Sequence, residues 1–271
     1  MAKTIILYLV IFINTLFPNY KYNAKKLNDS NKTIQTFETN GLSTKEIDWY
    51  IVPNKNNLPP EPNKIAIPMF EKFSGYYIGN TDKKFLYLTF DEGYENGYTS
   101  KILDTLKKQN VPAAFFVVKP YIKTNPELIK RMVDEGHLVC NHSSNHPSMA
   151  KVFDEQKFKK ELEDVATEFN KITNTNMPKY FRPPMGKFSE YSLNLTNNLG
   201  YKSIFWSLAY KDFDVKNQPT KEKAKSKILE RIHNGCIILL HAVSKTNTEI
   251  LDELLQEIKS KGYEFRPLTD F

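Results

Sequence analysis

The sequence is short of the residues that define several classes of protein. Two cysteines in 271 residues cannot build the disulfide framework of a small secreted domain. Ten glycines and fifteen prolines exclude collagen-like and low-complexity chains. No apolar run reaches the roughly 20 residues that a membrane-spanning helix needs. With 40% hydrophobic and 13% aromatic residues, the chain can instead bury the core of one large domain or two small ones.

Positive charge is in excess but is not concentrated. The formal net charge is +7 and the isoelectric point is about 9.1. This balance favours anionic partners such as cell-surface polymers, nucleic acid or membrane surfaces. Lysines spread along the chain supply most of the charge, only four residues are arginine, and no Lys/Arg block of the nucleic-acid-binding kind occurs. We therefore expect no nucleic-acid partner.

The chain begins with a short apolar segment. Residues Thr4 to Phe17 are apolar, follow Lys3 and precede Pro18. This pattern is typical of a signal peptide, although no small-residue cleavage site follows it. Residues 1–20 are therefore expected to be a signal peptide or an N-terminal membrane anchor, and the protein is expected to be exported. Cys140 and Cys236 lie in apolar runs, so they fit either a disulfide or buried free thiols.

A polar stretch separates this segment from the rest of the chain. Residues 21–64 are rich in Asn, Lys, Thr and Pro and have no sustained period, which is typical of a linker. Within it, Ile47 to Val52 is predicted to form a short docking strand. Residues 65–271 are of single-domain size and are predicted to form the catalytic domain.

In this domain, apolar runs alternate with amphipathic helical patterns. Seven runs are predicted to be strands: Phe85–Asp91, Ala113–Val118, His137–His142, Tyr180–Arg182, Lys202–Leu208, Cys236–His241 and Tyr263–Pro267. Six clear helices lie between them, with predicted N-terminal caps that include Ser189, Thr220 and either Thr246 or Thr248. Repeated β-α units predict an α/β fold with parallel strands. Composition alone allows either a barrel close to the (β/α)8 type or an open doubly wound sheet.

Polar side chains fall at the carboxyl ends of the predicted strands. Asp91, His142, Arg182 and His241 end four different strands, and residues 209–214 follow another. Parallel α/β folds build their sites at this edge, whether the sheet is closed or open. Since two of only five histidines are among these four residues, we predict a functional site here.

The residue types at this edge suit metal-assisted hydrolysis. His142 and His146 are four residues apart, so a helical turn would place both imidazoles on one face. A carboxylate from Asp91 or Glu92 would complete a metal site of two histidines and one carboxylate, with positions open for water and substrate. Such a metal activates water and polarises an ester or amide carbonyl. Asp91 would accept the proton of the water, and His241 would protonate the leaving group.

Four segments, in this order along the chain, resemble the motifs of a known family. They are Thr89-Phe90-Asp91-Glu92-Gly93, His142-Ser143-Ser144-Asn145-His146, Arg182-Pro183-Pro184-Met185-Gly186 and Leu239-Leu240-His241. Together they resemble the motifs of the polysaccharide deacetylases, the carbohydrate esterases of family four. This resemblance implies a distorted (β/α)7 barrel that forms a single catalytic domain.

The resemblance also implies the roles of the reacting groups. Asp91 corresponds to the catalytic base and His241 to the catalytic acid. His142 and His146 correspond to ligands of a divalent metal, expected to be Zn2+, with Co2+ or Mn2+ as alternatives. The family has Asp at the position of Glu92, so ligation of the metal by this longer side chain stays an open question.

Supporting roles follow from the same resemblance. Arg182 corresponds to the arginine that holds the base, a task that its rigid fork of donors suits. Asp212 corresponds to the residue that orients the acid, although the family places Trp after it where this chain has Phe213. The backbone N–H of Met185 would complete an oxyanion site together with the metal.

Longer stretches resemble a narrower group. Residues 75–81, 90–98, 205–209 and 240–244 are similar to the delta-lactam-biosynthetic de-N-acetylases of spore-forming bacteria. The resemblance implies that the substrate is N-acetylmuramic acid in the peptidoglycan of the spore cortex, after an amidase has removed the stem peptide. Muramic delta-lactam would be the later product. We expect a monomer in the forespore intermembrane space, with Tyr94 and Asn96 lining the sugar groove.

Three other functions remain open on the sequence. A general deacetylase would act on N-acetylglucosamine, chitin or xylan. A non-catalytic glycan-binding protein would not need the base, the acid and the histidine pair that the sequence retains. A sugar-phosphate barrel enzyme would need a Gly-rich phosphate loop after the late strands, and the sequence has none there.

Overall fold

A computed structural model describes residues 39–54 and 56–271 of the chain. Residues Glu38–Phe271 form one compact unit. In the part of the chain that is described, no helix has the length and apolar character that crossing a bilayer demands. The predicted signal or anchor segment, residues 1–20, lies outside the described residues.

The strands build one large parallel sheet and two small antiparallel pairs. In chain order the strands are β1 (Ile47–Asp48), β2 (Ile51–Val52), β3 (Glu61–Pro62), β4 (Gly75–Tyr76), β5 (Phe85–Glu92), β6 (Ala113–Val117), β7 (Leu138–Asn141), β8 (Tyr180–Phe181), β9 (Lys187–Phe188), β10 (Lys202–Ile204), β11 (Leu208–Ala209), β12 (Cys236–His241) and β13 (Glu264–Phe265). The large sheet has the order β11-β12-β5-β6-β7-β8-β10-β4, and β13 pairs with the first residues of β5. Every pairing between strands of this sheet is parallel.

The large sheet curls until its two ends approach each other. Residues just beyond β4 return to β12, where Ile78 bridges Cys236 and the N–H of Gly79 donates to the carbonyl of Gly235 at 2.7 Å. Gly235 has a φ of +72°, and a Cβ there would lie 2.7 Å from the carbonyl oxygen of Gly79. This approach therefore requires glycine. The predicted α/β fold, a distorted barrel in a single domain, is confirmed.

Helices cover the outside of the sheet. They are α1 (Ala66–Lys72), α2 (Thr99–Gln109), α3 (Lys119–Thr124), α4 (Pro126–Asp134), α5 (Glu155–Thr173), α6 (Glu190–Asn198), α7 (Lys221–Leu229) and α8 (Lys245–Ser260). Ser189 and Thr220 cap α6 and α7 as predicted. The cap predicted at Thr246 or Thr248 is wrong, because Ser244 accepts the N–H of the third helical residue and α8 begins before both threonines.

All seven predicted strands are present: Cys236–His241 has the predicted bounds, five others differ by one or two residues at an end, and Lys202–Leu208 is divided. The run Lys202–Leu208 divides into β10 and β11 because the chain crosses there from one end of the sheet to the other. The N–H of Phe205 donates to the carbonyl of Tyr76 in β4 at 2.7 Å, whereas the N–H of Ser207 donates to the carbonyl of Ile237 in β12 at 3.0 Å.

Alternation along β5 determines which side chains enter the barrel. Tyr87 packs inside the curled sheet in a buried cluster with Phe116, whereas Phe90 belongs to the larger cluster between the sheet and the helices. Because strand side chains alternate between faces, Asp91 shares the inner face of Tyr87. Glu92 shares the outer face of Phe90.

The segment before residue 65 is part of the compact unit. β1 pairs with β9, and Trp49, which is 5% exposed, packs against Phe70 and Phe205. The indole N–H of Trp49 donates to the carbonyl of Trp206 at 3.0 Å. Residues 47–52 form two short strands, β1 paired with β9 and β2 paired with β3, where a single docking strand was predicted. The described residues 39–54 and 56–64 belong to the same compact unit as the barrel. The boundary placed at residue 65 is therefore wrong, because a buried aromatic side chain fastens this polar stretch to the barrel.

The two cysteines do not form a disulfide. Cys140 and Cys236 are buried free thiols on different strands of the large sheet. Burial raises the pKa of both thiols, that of Cys236 to about 12.

Candidate active site

Four strands deliver polar side chains to one end of the barrel. Asp91 in β5 and His241 in β12 are neighbours in the register of the sheet. His142 directly follows β7, and Arg182 directly follows β8. The structure thus brings together the four residues that the sequence places at strand ends.

The carboxylate of Asp91 is held by a buried arginine. Arg182 is fully buried, and its Nη1 donates to Oδ1 of Asp91 at 2.7 Å. Its Nη2 donates to Oγ1 of Thr89 at 2.9 Å, its Nε donates to the carbonyl of Ile204 at 3.1 Å, and its guanidinium lies 4.1 Å from the ring centre of Phe116. Burial disfavours the charged form of Asp91, but the charge of Arg182, joined by those of His142 and His241 when they are protonated, outweighs it and lowers the pKa of this carboxyl.

The two histidines of the second motif lie next to Asp91. Nε2 of His142 is 3.5 Å from Oδ2 of Asp91, and the rings of His142 and His146 meet edge to face with centres 4.9 Å apart. Nδ1 of His142 donates to the carbonyl of Arg182 at 2.8 Å, which leaves Nε2 with a free lone pair. Burial lowers the pKa of His142 to about 4 and also lowers that of His146. Both imidazoles are therefore neutral at neutral pH, as metal ligands must be.

A second carboxylate orients His241. Asp212 is fully buried. Its Oδ1 accepts the Nδ1–H of His241 at 2.7 Å, and its Oδ2 accepts the backbone N–H of His241 at 2.8 Å. Asn247 in α8 donates its Nδ2 to the same Oδ2 at 2.6 Å and accepts a hydrogen bond from the hydroxyl of Tyr210. Burial disfavours the imidazolium, but Asp212 outweighs this effect and raises the pKa of His241. The ring of Phe213 packs edge-on against His241, with centres 5.5 Å apart.

Glu92 does not join the histidine pair. The strand includes this residue, so the pleat directs its side chain to the helical face, where Oε1 is 3.4 Å from the hydroxyl of Thr99 in α2. Its Oε2 is buried and has no hydrogen-bond partner. Burial, reinforced by Glu95, raises the pKa of Glu92 well above its usual range. This placement contradicts the suggested ligand role of Glu92.

The residues predicted to bind substrate differ in their availability. Tyr94 is 53% exposed, whereas the side-chain amide of Asn96 donates to the carbonyl of Val243 at 2.9 Å. Asn96 therefore fastens its loop to the segment that follows His241. Met185 has left-handed backbone with a φ of +60° and a side chain that is 52% exposed.

Several residues around the site were not predicted. Thr89 lies two residues before Asp91 on the same face of β5, so the strand period could have indicated it. Asn247 follows His241 by six residues in the first turn of the next helix, where no motif marks it. Glu161 in α5 accepts hydrogen bonds from the loop between the two histidines, and nothing in the sequence connects the two segments.

The donor set fits a divalent cation with few protein ligands. Within the described residues, no three His, Cys, Asp or Glu side chains form a complete metal site. What the chain offers is two neutral imidazoles beside one carboxylate, and the carbonyl of Arg182 fixes the tautomer of His142. A carbonyl partner of this kind is usual for a histidine that binds metal through its other nitrogen.

Comparisons with known proteins agree with this geometry. The family model of the polysaccharide deacetylases matches residues 78–204. An uncharacterized 30.6 kDa protein of Geobacillus stearothermophilus is 47% identical over 229 residues, which are 84% of this chain and 86% of that protein. The peptidoglycan-N-acetylmuramic acid deacetylase PdaA of Bacillus subtilis is 42% identical over 233 residues, 86% of this chain and 88% of that protein.

The solved structure of Bacillus subtilis PdaA, a family 4 carbohydrate esterase, matches with a TM-score of 0.82 at 43% identity. The match covers 84% of this chain and 97% of that chain. The family predicted from the four motifs is thus confirmed. The chain therefore belongs to the polysaccharide deacetylases of carbohydrate esterase family 4, a generally metal-dependent family of hydrolases, and acts on amide bonds.

Proposed function

We propose that this protein removes the N-acetyl group from N-acetylmuramic acid residues of peptidoglycan. The observation that carries the proposal is the pairing of two residues on adjacent strands, Asp91 held by Arg182 and His241 held by Asp212. Its substrate class is supported by the 42% identity to the muramic acid deacetylase of Bacillus subtilis. The products are acetate and a glycan with a free amine.

Asp91 serves as the general base. Arg182 occupies Oδ1, so Oδ2 is the oxygen that accepts a proton from the attacking water. The lowered pKa keeps this carboxyl ionised at neutral pH, which a base requires. The water oxygen then bonds to the acetyl carbon.

His142 and His146 are proposed to hold the divalent metal, with Zn2+ as the expected ion and Co2+ or Mn2+ as alternatives. When bound, such an ion lowers the pKa of water and polarises the acetamide carbonyl. The two imidazoles are neutral and adjacent, which supports this assignment. The backbone N–H of Met185 is proposed to donate to the developing oxyanion.

His241 serves as the general acid. Its Nδ1–H is held by Asp212, so Nε2 is the atom that gives its proton to the departing nitrogen as the C–N bond breaks. The raised pKa favours the protonated ring that this step needs. After this step Asp91 carries the proton of the water and His241 has lost its own, and exchange of one proton with solvent restores both groups, so water is the only other reactant.

The position of this step in spore cortex synthesis is also proposed. The free amine can condense with the lactyl carboxylate of the same sugar, with loss of water, only where the stem peptide no longer occupies that carboxylate. An amidase must therefore act before the ring closes, and we propose, as the family resemblance implies, that it acts before deacetylation as well; muramic delta-lactam is the later product. We propose that the protein is a monomer, exported by its residues 1–20 to the forespore intermembrane space, and cleaved or anchored there. The net charge of +7 suits an anionic glycan.

The test uses the full chain and two peptidoglycan samples, one treated beforehand with an amidase and one untreated. Mass spectrometry of the released muropeptides should show loss of acetyl groups from muramic acid only in the treated sample, and a chelator should abolish the reaction. Equal turnover of N-acetylglucosamine oligomers would instead identify a general deacetylase. Full activity after complete removal of metal would refute the metal-assisted mechanism.

A further inference from the structure

The loop that carries the two histidines has a backbone that needs support. Ser143 and His146 both have left-handed φ values, +67° and +56°, although neither is glycine. Such conformations persist only where surrounding contacts hold them. His146 is itself a proposed metal ligand, so whatever holds this loop also determines where its imidazole points.

Short-range hydrogen bonds hold the backbone at the two ends of the loop, at Ser143 and at His146. The N–H of Ser143 donates to Oδ1 of Asn141 at 2.9 Å, and the N–H of His146 donates to Oγ of Ser143 at 2.9 Å. The side chain of Asn141 is anchored in turn, because its Nδ2 donates to the carbonyl of Leu162 in α5 at 2.8 Å. The middle of the loop, Ser144 and Asn145, is held from outside.

One carboxylate of α5 holds this middle section. Oε2 of Glu161 accepts the backbone N–H of Ser144 at 3.0 Å and that of Asn145 at 2.9 Å. Its Oε1 accepts Nδ2 of Asn145 at 2.6 Å. Three donors thus meet a single carboxylate, and hydrogen bonds to a charged acceptor are stronger than neutral ones.

We propose that Glu161 is a positioning residue for metal binding, which holds the His142–His146 loop in the geometry that lets both imidazoles bind one ion. The inference rests on the metal role that we propose for these histidines. Its physical reason is the small number of protein ligands: with two imidazoles, affinity depends on how far the loop is already arranged before the ion arrives. Residues that orient metal ligands typically change metal affinity by about 10–100-fold when they are replaced.

The variant Glu161→Gln removes the charge and keeps the shape. An amide can accept on one atom only, so at most part of the three-donor contact survives. Glu163→Gln is the matched control, because Glu163 lies on the same helix, is 57% exposed and pairs only with Lys159 among the described contacts. Metal-free full-length protein is titrated with Zn2+ in a calorimeter, and thermal unfolding without metal reports whether the fold is intact.

We expect Kd for Zn2+ to rise about 10–100-fold in Glu161→Gln and to stay unchanged in Glu163→Gln. Glu161→Asp, which restores the charge on a shorter side chain, should recover part of the affinity. If Glu161→Gln does not fold, Asn145→Ala, which removes one of the three donors, should weaken Zn2+ binding less severely. If the wild type binds Zn2+ and the folded variant binds it with the same Kd, the proposed role of Glu161 is wrong, while the proposed metal site stands. A wild type that binds no Zn2+, Co2+ or Mn2+ would overturn the proposed metal site and this inference with it.

Discussion

Replacing Asp212 by asparagine should slow the reaction strongly at alkaline pH and only weakly at acidic pH, instead of slowing it equally at all pH values. Asp212 is fully buried and accepts two hydrogen bonds from His241. The substitution keeps the shape of the side chain but removes the negative charge that raises the pKa of His241. The protonated fraction of this ring should therefore fall at neutral pH.

The expected loss of activity follows from the strength of the hydrogen bond between His241 and Asp212. A hydrogen bond to a charged group contributes about 1.5–3 kcal/mol, and about 1.4 kcal/mol corresponds to a factor of ten in rate. We expect kcat/KM to fall about 10–100-fold on the alkaline side of the profile. In acid, His241 is protonated with or without Asp212, so this difference should shrink as the pH is lowered.

The assay is acetate release from amidase-treated peptidoglycan, followed across the acidic, neutral and mildly alkaline range. Asp214→Asn is the control, because Asp214 lies two residues further along the same loop and pairs with Lys211 and Asn217 instead of His241. The alkaline limb should move to lower pH in Asp212→Asn and stay in place in Asp214→Asn. An equal fractional loss at every pH would refute the reasoning, since it would mean that Asp212 acts on structure and not on the protonation of His241.

Three further predictions test other parts of the molecule. Asp91→Asn should lower turnover by about 10²–10⁴-fold, as expected for loss of a general base, while metal content measured by atomic absorption stays close to wild type. Glu92→Gln should keep activity within a few-fold of wild type and raise the free energy of unfolding in urea at neutral pH. The sign follows from the raised pKa of Glu92: above the ordinary value of 4.5 the unfolded chain releases the carboxyl proton, while the folded chain retains it at a cost in stability. Glutamine avoids this cost, so its gain in the free energy of unfolding should vanish below pH 4.5. An equal gain at all pH values would contradict this explanation. Cys140 and Cys236 should resist a thiol reagent in the native protein and both react after unfolding.

The edge of the barrel that holds the site could be predicted because it depends on local pattern. Buried parallel strands appear as short apolar runs, and a polar residue that ends such a run must lie at the carboxyl edge. Asp91 and His241 could therefore be placed at the same edge of the sheet from the sequence, whereas their position on neighbouring strands is known only from the structure. The family motifs added Arg182 and Asp212, whose partners are found where the motifs imply.

The orientation of Glu92 could not be predicted, because it depends on whether the strand ends at Asp91 or one residue later, at Glu92. A strand that stopped at Asp91 would free the next side chain to turn towards the histidines. In the structure β5 continues through Glu92, and the pleat sends that carboxyl to the helices. Strand ends predicted from sequence are uncertain by more than this single residue.

Contacts between distant segments were equally beyond the sequence. The sequence predicts that residues 47–52 dock, but not that Trp49 packs against Phe70 and Phe205 and donates its indole N–H to the carbonyl of Trp206. Glu161 and Asn145 are brought together by the packing of α5 against β7. Neither residue breaks a local pattern, so only the fold reveals that they meet.

The acid and the base of this site differ because the barrel surrounds them differently. Both lie at the end of adjacent strands, and burial alone would push each towards its neutral form. A buried guanidinium beside Asp91 keeps that group ionised, while a buried carboxylate beside His241 favours its protonated ring. Neighbours of opposite charge therefore hold a proton acceptor and a proton donor ready at the same pH, which is what cleavage of an amide requires. Exchanging either neighbour for a neutral residue should shift mainly one limb of the pH profile: the acidic limb to higher pH without Arg182, and the alkaline limb to lower pH without Asp212.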